Sequence, residues 1–285
     1  MKEIYNRLGT SRQNVSQCLQ RLRAKTTAAD MVVSVAKDIR KKQPKLGCRK
    51  IYLKAFQHLP LGRDQCEQIL LSSGFRVQFP PNFRRTTYSI GKLYYPNRIE
   101  GLTLQGINRV WQSDITYFEV GDRFYYLVFI IDVYSRRIVG WSVDHSLWAQ
   151  ANLRALRKAF CLRGDGPLKE LIHHSDRGSQ YIDKDYIACL TQHQITPSMC
   201  QFAWQNAYCE RVNGIIKNEY LNCWKISDLT ALRKAVTKAI HLYNYERPHR
   251  ELPNKVAPAI FETQLNNGLF RIKPTMKLYS KQINT

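Results

Sequence analysis

The chain has 285 residues, of which 44% are hydrophobic, and a formal net charge of +22 at pH 7. This hydrophobic content is typical of a globular protein and excludes a wholly disordered chain. The excess of lysine and arginine favours a polyanionic partner. Nucleic acid is preferred over a membrane, because the longest apolar run, Phe124 to Ile131, is too short to span a bilayer.

The N-terminus and the cysteines both bear on the cellular location of the protein. The first residues lack the apolar segment of a secretory signal. The eight cysteines are scattered and form no C-x-x-C pair. This pattern predicts reduced, mostly buried thiols in a cytoplasmic protein rather than a disulfide framework or a zinc site.

Residues 1–27 predict a helix-turn-helix-like segment. Gly9 interrupts a first apolar helix, Ser11 is suited to cap a second, and Val15, Leu19 and Leu22 recur at helical spacing. Polar side chains of the second helix could face a DNA groove. An ordinary helical hairpin is an equally good interpretation.

Residues 28–78 predict a helical DNA-binding domain. Its helices are expected at Asp30–Lys42, Cys48–Gln57 and Asp64–Ser72. A basic cluster that includes Arg49 and Lys50 lies near the start of the second helix, and we expect it to contact DNA. A solvated charged face is the alternative.

Residues 79–106 lack clear periodicity and predict a linker, and residues 266–285 predict a loose basic tail.

Between these two segments, residues 107–265 predict the core of the protein. Strands are expected at Val110–Val120, Arg123–Val133, Ile138–Val143, Glu170–His174 and Ile195–Met199. Helices are expected at Ala149–Leu162, Lys184–His193, Asn206–Leu221 and Leu229–Tyr245. Three antiparallel strands followed by alternating helices and strands predict an α/β sandwich with a mixed sheet. Its second strand is apolar on both faces and should be covered by helices.

Three short motifs each supply one acid. They are W-Q-S-D-I-T-Y around Asp114, H-S-D-R-G-S-Q-Y around Asp176 and E-R-V-N-G-I-I-K from Glu210. Asp176 follows a predicted strand, where α/β sheets bind ligands, although a turn aspartate would look the same.

On the predicted helix, Glu210, Asn213 and Lys217 share one face. An acid followed two turns later by a lysine suits a metal ligand and a phosphate contact on DNA, and a solvated polar face is the alternative. Three carboxylates suit Mg²⁺, which prefers hard oxygen ligands. Two such ions can support an in-line displacement at phosphorus.

These motifs occur in order with F-I-I-D-V-Y-S-R-R-I-V-G-W and Y-N-Y-E-R-P-H-R. Together they resemble the catalytic reading frame of IS3-type bacterial insertion-sequence transposases, and also the integrase core of retroviruses. The resemblance implies a ribonuclease-H-like core, with a mixed five-stranded sheet flanked by helices, behind a helix-turn-helix-like region. It implies a D-D-E triad in which Asp114, Asp176 and Glu210 are catalytic and bind two Mg²⁺ ions, for which Mn²⁺ would substitute. It also assigns Lys217, with Asn213 beside it, to DNA.

The resemblance further implies a DNA transposase that cleaves and joins strands at insertion-sequence ends. Its partners would be double-stranded DNA, further copies of the chain, and an upstream-frame helix-turn-helix and coiled-coil protein, either as a separate chain or as a fusion to an N-terminus that is incomplete here. Its place would be the bacterial cytoplasm, with the nucleoid. A nuclease lacking strand transfer and an inactive-core DNA-binding regulator are the alternatives. The stretch from Asp176 to Glu210 is slightly shorter than usual around C-Q-F-A-W-Q, and Glu219 is the alternative third acid.

Overall fold

The structure is a computed structural model that describes residues 5, 7, 9–78, 94–164, 166–270 and 274–279. The chain forms two compact units, Met1–Gln78 and Phe79–Thr285. Their boundary lies at the end of the predicted helical region. Within the described ranges, no helix is both long enough and apolar enough to cross a membrane.

The first unit is built from three helices. They are α1 (Arg12–Lys42), α2 (Cys48–Ala55) and α3 (Arg63–Ser72). Ser11 caps α1 as predicted, because its hydroxyl accepts the Asn14 N–H at 3.0 Å. Val32, Ile51 and Leu70, one from each helix, meet in a shared apolar core. The amphipathic spacing of the sequence therefore does form a small helical unit.

Helix α1 differs from the prediction, because it is continuous across the expected boundary between residues 27 and 28. No glycine or proline interrupts the sequence from Arg12 to Lys42. Thr26 and Thr27 stay helical, and their hydroxyls donate to carbonyls one turn back at 3.0 Å. The second predicted helix and the helix expected from Asp30 are thus one element. The first predicted helix, over residues 1–8, lies largely outside the described residues.

The second unit is organised around a five-stranded mixed sheet. Its strands are β2 (Val110–Val120), β3 (Arg123–Asp132), β4 (Ile138–Asp144), β5 (Ile172–Ser175) and β6 (Thr196–Met199). The strand order is β4-β3-β2-β5-β6. The first three strands pair antiparallel, and β5 pairs parallel with both β2 and β6. This order, with helices on both faces, confirms the predicted ribonuclease-H-like fold.

Helices cover both faces of this sheet. They are α4 (Ala149–Arg163), α5 (Lys184–Gln192), α6 (Ala207–Ile215), α7 (Leu229–His241) and α8 (Pro258–Asn266). Side chains of β3 alternate between two cores: Phe129 packs with α6 and α7, whereas Ile130 packs with α4 and α5. The prediction that β3 is apolar on both faces because helices cover it is confirmed. Helices α6 and α7 each continue into a π-helical turn, over Ile216–Tyr220 and Leu242–Glu246.

Residues 94–106 and 274–279 are packed, in contrast to the predicted linker and loose tail. The short strands β1 (Thr103–Leu104) and β7 (Met276–Lys277) pair antiparallel. Ile99 and Leu278 are fully buried in a cluster with Phe261 of α8. Apolar side chains in these segments thus complete the second unit, and burying them outweighs the local absence of periodicity. The rest of both segments, residues 79–93, 271–273 and 280–285, lies outside the described residues.

Asp132, at the end of β3, has contacts that suit a structural role. It is fully buried, and its carboxylate accepts the backbone N–H groups of Asn108 at 2.6 Å and Ser135 at 2.9 Å. Burial raises the pKa of Asp132, and the nearby Arg163 guanidinium opposes that shift. The acid therefore ties two turns to the end of the strand.

Gly140 of β4 lies where the strand and α4 approach most closely. A Cβ at this position would overlap the backbone carbonyl of Ala155, which no side-chain rotation can relieve. We expect Gly140→Ala to destabilise the folded protein by about 2–3 kcal/mol, measured by urea unfolding. Gly106→Ala is the matched control, because a Cβ there meets no atom within 4 Å. Equal stabilities of the two variants would contradict this packing.

Candidate active site

The strand register brings Asp114 and Asp176 side by side. Parallel pairing between β2 and β5 ends at Ser113 and Ser175. Asp114 and Asp176 directly follow these two paired serines. Neighbouring strands lie about 4.8 Å apart. Both aspartates are half-buried. A pair of carboxylates is therefore fixed at the carboxyl end of β5 by backbone hydrogen bonds.

The third acid, Glu210, is exposed in the first turn of α6. Two contacts hold the start of this helix against the sheet. The Asn206 side-chain amide donates to the Ser113 carbonyl at 3.1 Å, and the Cys209 thiol donates to the Phe129 carbonyl at 3.4 Å. The residue before Asp114 is thus bound directly to the residue that precedes α6.

The three acids influence each other electrostatically. Burial raises the pKa of Asp114 well above its usual value, and the charges of Asp176 and Glu210 raise it further. The pKa of Glu210 is raised by burial and then by Asp176. The pKa of Asp176 is raised by burial, and a hydrogen bond from the Gly178 N–H opposes this. Like charges gathered in this way favour a proton or a cation among them.

Asn213 and Lys217 lie inside this cluster. The Asn213 side chain is 5% exposed, and its Nδ2 donates to Asp114 Oδ2 at 2.7 Å. Lys217, on the π-helical turn, donates to the Thr116 hydroxyl at 2.7 Å, with its ammonium 5.4 Å from the centre of the Tyr117 ring. Burial lowers the pKa of Lys217, and the charge of Asp114 opposes this shift. The contact that the structure shows for Asn213 is thus with Asp114, and its assignment to DNA stays a prediction.

The carboxylates of the three acids interact electrostatically without being gathered around one point. Within the described ranges, no group of three or more His, Cys, Asp or Glu side chains is positioned to hold a metal ion as it stands. The oxygen donors nevertheless suit a hard cation, and their mutual repulsion is the property that such a cation would relieve. The residues therefore fit Mg²⁺ by chemistry and charge.

Glu219, the alternative third acid, is occupied elsewhere. Its carboxylate accepts two hydrogen bonds from Arg247, each of 2.7 Å, and both side chains are buried. Such a bidentate pair fixes the end of the π-helical turn against the segment after α7. Its position leaves Glu210 as the glutamate that interacts with Asp114 and Asp176.

The loop before α6 is shaped by two glutamine side chains that the motifs did not single out. Gln205 is fully buried, and its Oε1 accepts the N–H groups of Gln201 at 2.7 Å and Phe202 at 3.1 Å. The Gln112 amide donates to the Gln205 carbonyl and to the Tyr279 hydroxyl, both at 2.9 Å. Gln112 lies two residues before Asp114 in the first motif. Its place in that motif is the feature of the sequence that could have indicated a role at the site.

Two predicted residues lie in the first unit. Arg49 forms an ion pair with Glu67 of α3 at 2.8 Å, with the arginine side chain 55% exposed. Lys50 follows it on α2. Their assignment to DNA stays a prediction.

The histidines before Asp176 are packed in the core. His173 Nε2 and the Tyr186 hydroxyl are 2.9 Å apart, and His174 Nδ1 and the Ser198 hydroxyl are also 2.9 Å apart. Burial lowers the pKa of His173 to about 3 and that of His174 to about 4. Both rings are therefore neutral around pH 7 and support the strand that delivers Asp176.

Comparison with known proteins places this site in a family. Two family models, both described as "Integrase core domain", match residues 105–203 and 191–256. The insertion element IS600 31 kDa protein of Shigella sonnei is 32% identical over 206 residues, which cover 70% of this chain and 75% of that protein. The chain belongs to the IS3-type insertion-sequence transposases with an integrase core.

Further relatives of this transposase include one from Escherichia coli K12. The transposase InsF for insertion sequence IS3A is 33% identical over 147 residues, half of each chain. Among solved structures, the HTLV-2 integrase catalytic core domain in complex with magnesium is 20% identical, with a TM-score of 0.44. That similarity covers 60% of this chain and 99% of the integrase core.

The raised pKa of Asp114 predicts a pH-dependent stability. The folded state holds a proton that the unfolded state releases, so metal-free stability should fall as pH rises from about 4 through the raised pKa. Asp114→Asn removes this proton uptake. In EDTA, we expect the variant to gain stability relative to wild type as pH rises, measured by urea unfolding at several pH values.

Glu119→Gln is the matched control for that comparison, because it removes an exposed carboxylate from the far end of β2. Its stability relative to wild type should not follow the trend of Asp114→Asn. A gap between Asp114→Asn and wild type that stays constant with pH would contradict the electrostatic description of the site.

Proposed function

We propose that this transposase catalyses metal-dependent phosphodiester cleavage and strand transfer at the ends of an insertion sequence, with Asp114, Asp176 and Glu210 as the metal-binding catalytic acids. The observation that supports this assignment is the convergence of the three carboxylates, two of which add to the raised pKa of the third. A cluster that repels itself is unfavourable unless a cation is bound to it.

The donor set supports Mg²⁺ as the cofactor, with Mn²⁺ as a substitute. Carboxylate oxygens without thiolate or imidazole partners suit hard divalent ions that retain several waters. Two bound ions would activate the attacking oxygen and stabilise the leaving oxygen of an in-line displacement. Asp114, Asp176 and Glu210 would hold them, and one acid comes from each of three separate elements.

Asn213 is proposed to position Asp114. Its amide donates to Asp114 Oδ2, and such a bond fixes the direction of the carboxylate while favouring its charged form. We infer that this orienting role replaces the direct DNA contact expected from the sequence, since the amide is buried against the acid. Removing the Asn213 amide would let the Asp114 carboxylate turn away, while all three acids remain present.

Lys217 is proposed to contact a DNA phosphate. Its half-buried ammonium is held by the Thr116 hydroxyl, and burial lowers its pKa although the charge of Asp114 opposes that shift. A phosphate approaching the three acids would pass this charge and compensate it. The lysine then aligns the scissile strand, and the acids act on it.

Partners follow from charge and family. The net charge of +22 favours double-stranded DNA, both element ends and target. Arg49 and Lys50 in the helical unit are proposed to add contacts to its backbone. A homo-oligomer and an upstream-frame helix-turn-helix and coiled-coil protein or fusion complete the proposed assembly.

The carboxylate assignment is tested by Asp114→Asn, Asp176→Asn and Glu210→Gln. Each should lower cleavage and joining of labelled element-end DNA in Mg²⁺ by roughly 10²–10³-fold or more, because each removes a ligand whose ion stabilises the transition state by several kcal/mol. DNA affinity should change little. A sequencing gel that separates cut from joined product gives both rates.

Glu119→Gln again provides the control, since it changes one exposed acid of the same strand. Full activity in Glu210→Gln would remove that residue from the site. Cutting without joining in wild type would favour the nuclease, and binding without cutting would favour the inactive-core regulator.

A further inference from the structure

Two exposed aromatic side chains stand on the loop between β6 and α6. Phe202 is 58% exposed and Trp204 is 51% exposed. Their rings are nearly parallel, with an interplanar angle of 6° and centroids 6.1 Å apart. Together they present an apolar aromatic surface to solvent, which is unfavourable for a free protein in water.

Neighbouring side chains hold the Phe202 and Trp204 rings in place. The Gln205 side chain accepts the backbone N–H of Phe202, and the Tyr279 ring meets the Trp204 ring edge-on, with centroids 5.5 Å apart. Tyr279 is in turn fixed by the Gln112 amide. Such support reduces the conformational entropy that a ligand would have to remove on binding.

The same loop adjoins the acids. The Arg177 guanidinium, next to Asp176 in sequence, donates to the Cys200 carbonyl at 3.1 Å and to the Gln201 carbonyl at 2.7 Å. Glu210 follows on the helix that this loop begins. The aromatic surface therefore lies beside the place where the proposed chemistry occurs.

We propose that Phe202 and Trp204 form a stacking platform for an unpaired nucleobase of the DNA strand that enters the site. The proposal rests on the proposed function, because this loop leads directly into the helix that carries Glu210. A planar base can stack on the exposed face of an aromatic ring, and stacking needs no particular sequence. The arginine beside the loop and the net positive charge suit the phosphates that accompany the base.

An unpaired base is favoured over a paired one by geometry. Bases inside a duplex are stacked on their neighbours, so their faces reach a protein ring only where the strand end has frayed or a base has turned out. The platform would stabilise such a strand end and expose its backbone to Asp114, Asp176 and Glu210. It would thus lower the free energy needed to open the DNA at the point of cleavage.

The test measures binding in EDTA, so that no strand is cut. One probe is a DNA duplex with a short unpaired 3′ overhang that carries 2-aminopurine, and the other is the same duplex with a blunt end. The double change Phe202→Leu and Trp204→Leu should weaken binding of the overhang probe by roughly 5- to 100-fold and reduce 2-aminopurine quenching. Binding of the blunt probe should change little.

Two variants control for other effects. Trp204→Phe keeps an aromatic face and should retain most of the affinity and quenching, which Trp204→Leu should lose. Phe124→Ala removes an exposed ring at the β2–β3 hairpin and should leave both probes unaffected.

Equal losses on both probes, or no loss on either, would overturn the platform. Loss of oligomers on gel filtration without a difference between the probes would also overturn it, and would make this surface a contact between copies of the chain. Because the assay needs neither metal nor cleavage, failure of the carboxylate assignment would be a separate result.

Discussion

The gathering of Asp114, Asp176 and Glu210, two of them half-buried, is the constraint around which the second unit is built. The charged form of each acid carries a cost that comes first from burial and, for Asp114 and Glu210, also from like charges, and the pKa of each is raised accordingly. That cost is offset locally by the Asn213 amide and the Lys217 ammonium. A protein that only had to be stable would not gather these groups, so the arrangement itself favours a site that acts through a cation.

The rest of the unit makes this arrangement rigid. Backbone pairing between β2 and β5 sets the separation of the two aspartates, and Asn206 and Cys209 bind the glutamate's helix to the neighbouring carbonyls. The π-helical turn after α6 carries Lys217 towards Thr116, and irregular turns of this kind are frequent at functional sites. Each of the three acids thus comes from a separate hydrogen-bonded part of the fold.

Local patterns in the sequence were sufficient for much of this structure. The bounds of β2 were predicted as observed, because strand patterns and the turns that end them are local signals. The convergence of Asp114, Asp176 and Glu210 came from the family resemblance, since spacing alone left a turn aspartate and a solvated face open. The continuity of α1 was missed where a domain boundary was expected inside a run without helix breakers.

Contacts between distant parts of the chain could not be predicted. Glu219 and Arg247 lie 28 residues apart, and nothing in their spacing indicates a bidentate pair. The packing of residues 94–106 against 274–279 depends on a two-stranded sheet joining segments far apart in sequence. Asn213 shares a helix face with Lys217, but only the tertiary structure turns its amide towards Asp114.

The most direct measurement is an anomalous difference map from crystals soaked in Mn²⁺. We expect two peaks among the Asp114, Asp176 and Glu210 carboxylates, about 4 Å apart, as in other two-metal sites. In Asp176→Asn crystals, at least one of them should disappear. Peaks bound by other acids, or no peak among these three at saturating Mn²⁺, would contradict the central claim that the three carboxylates form the metal site.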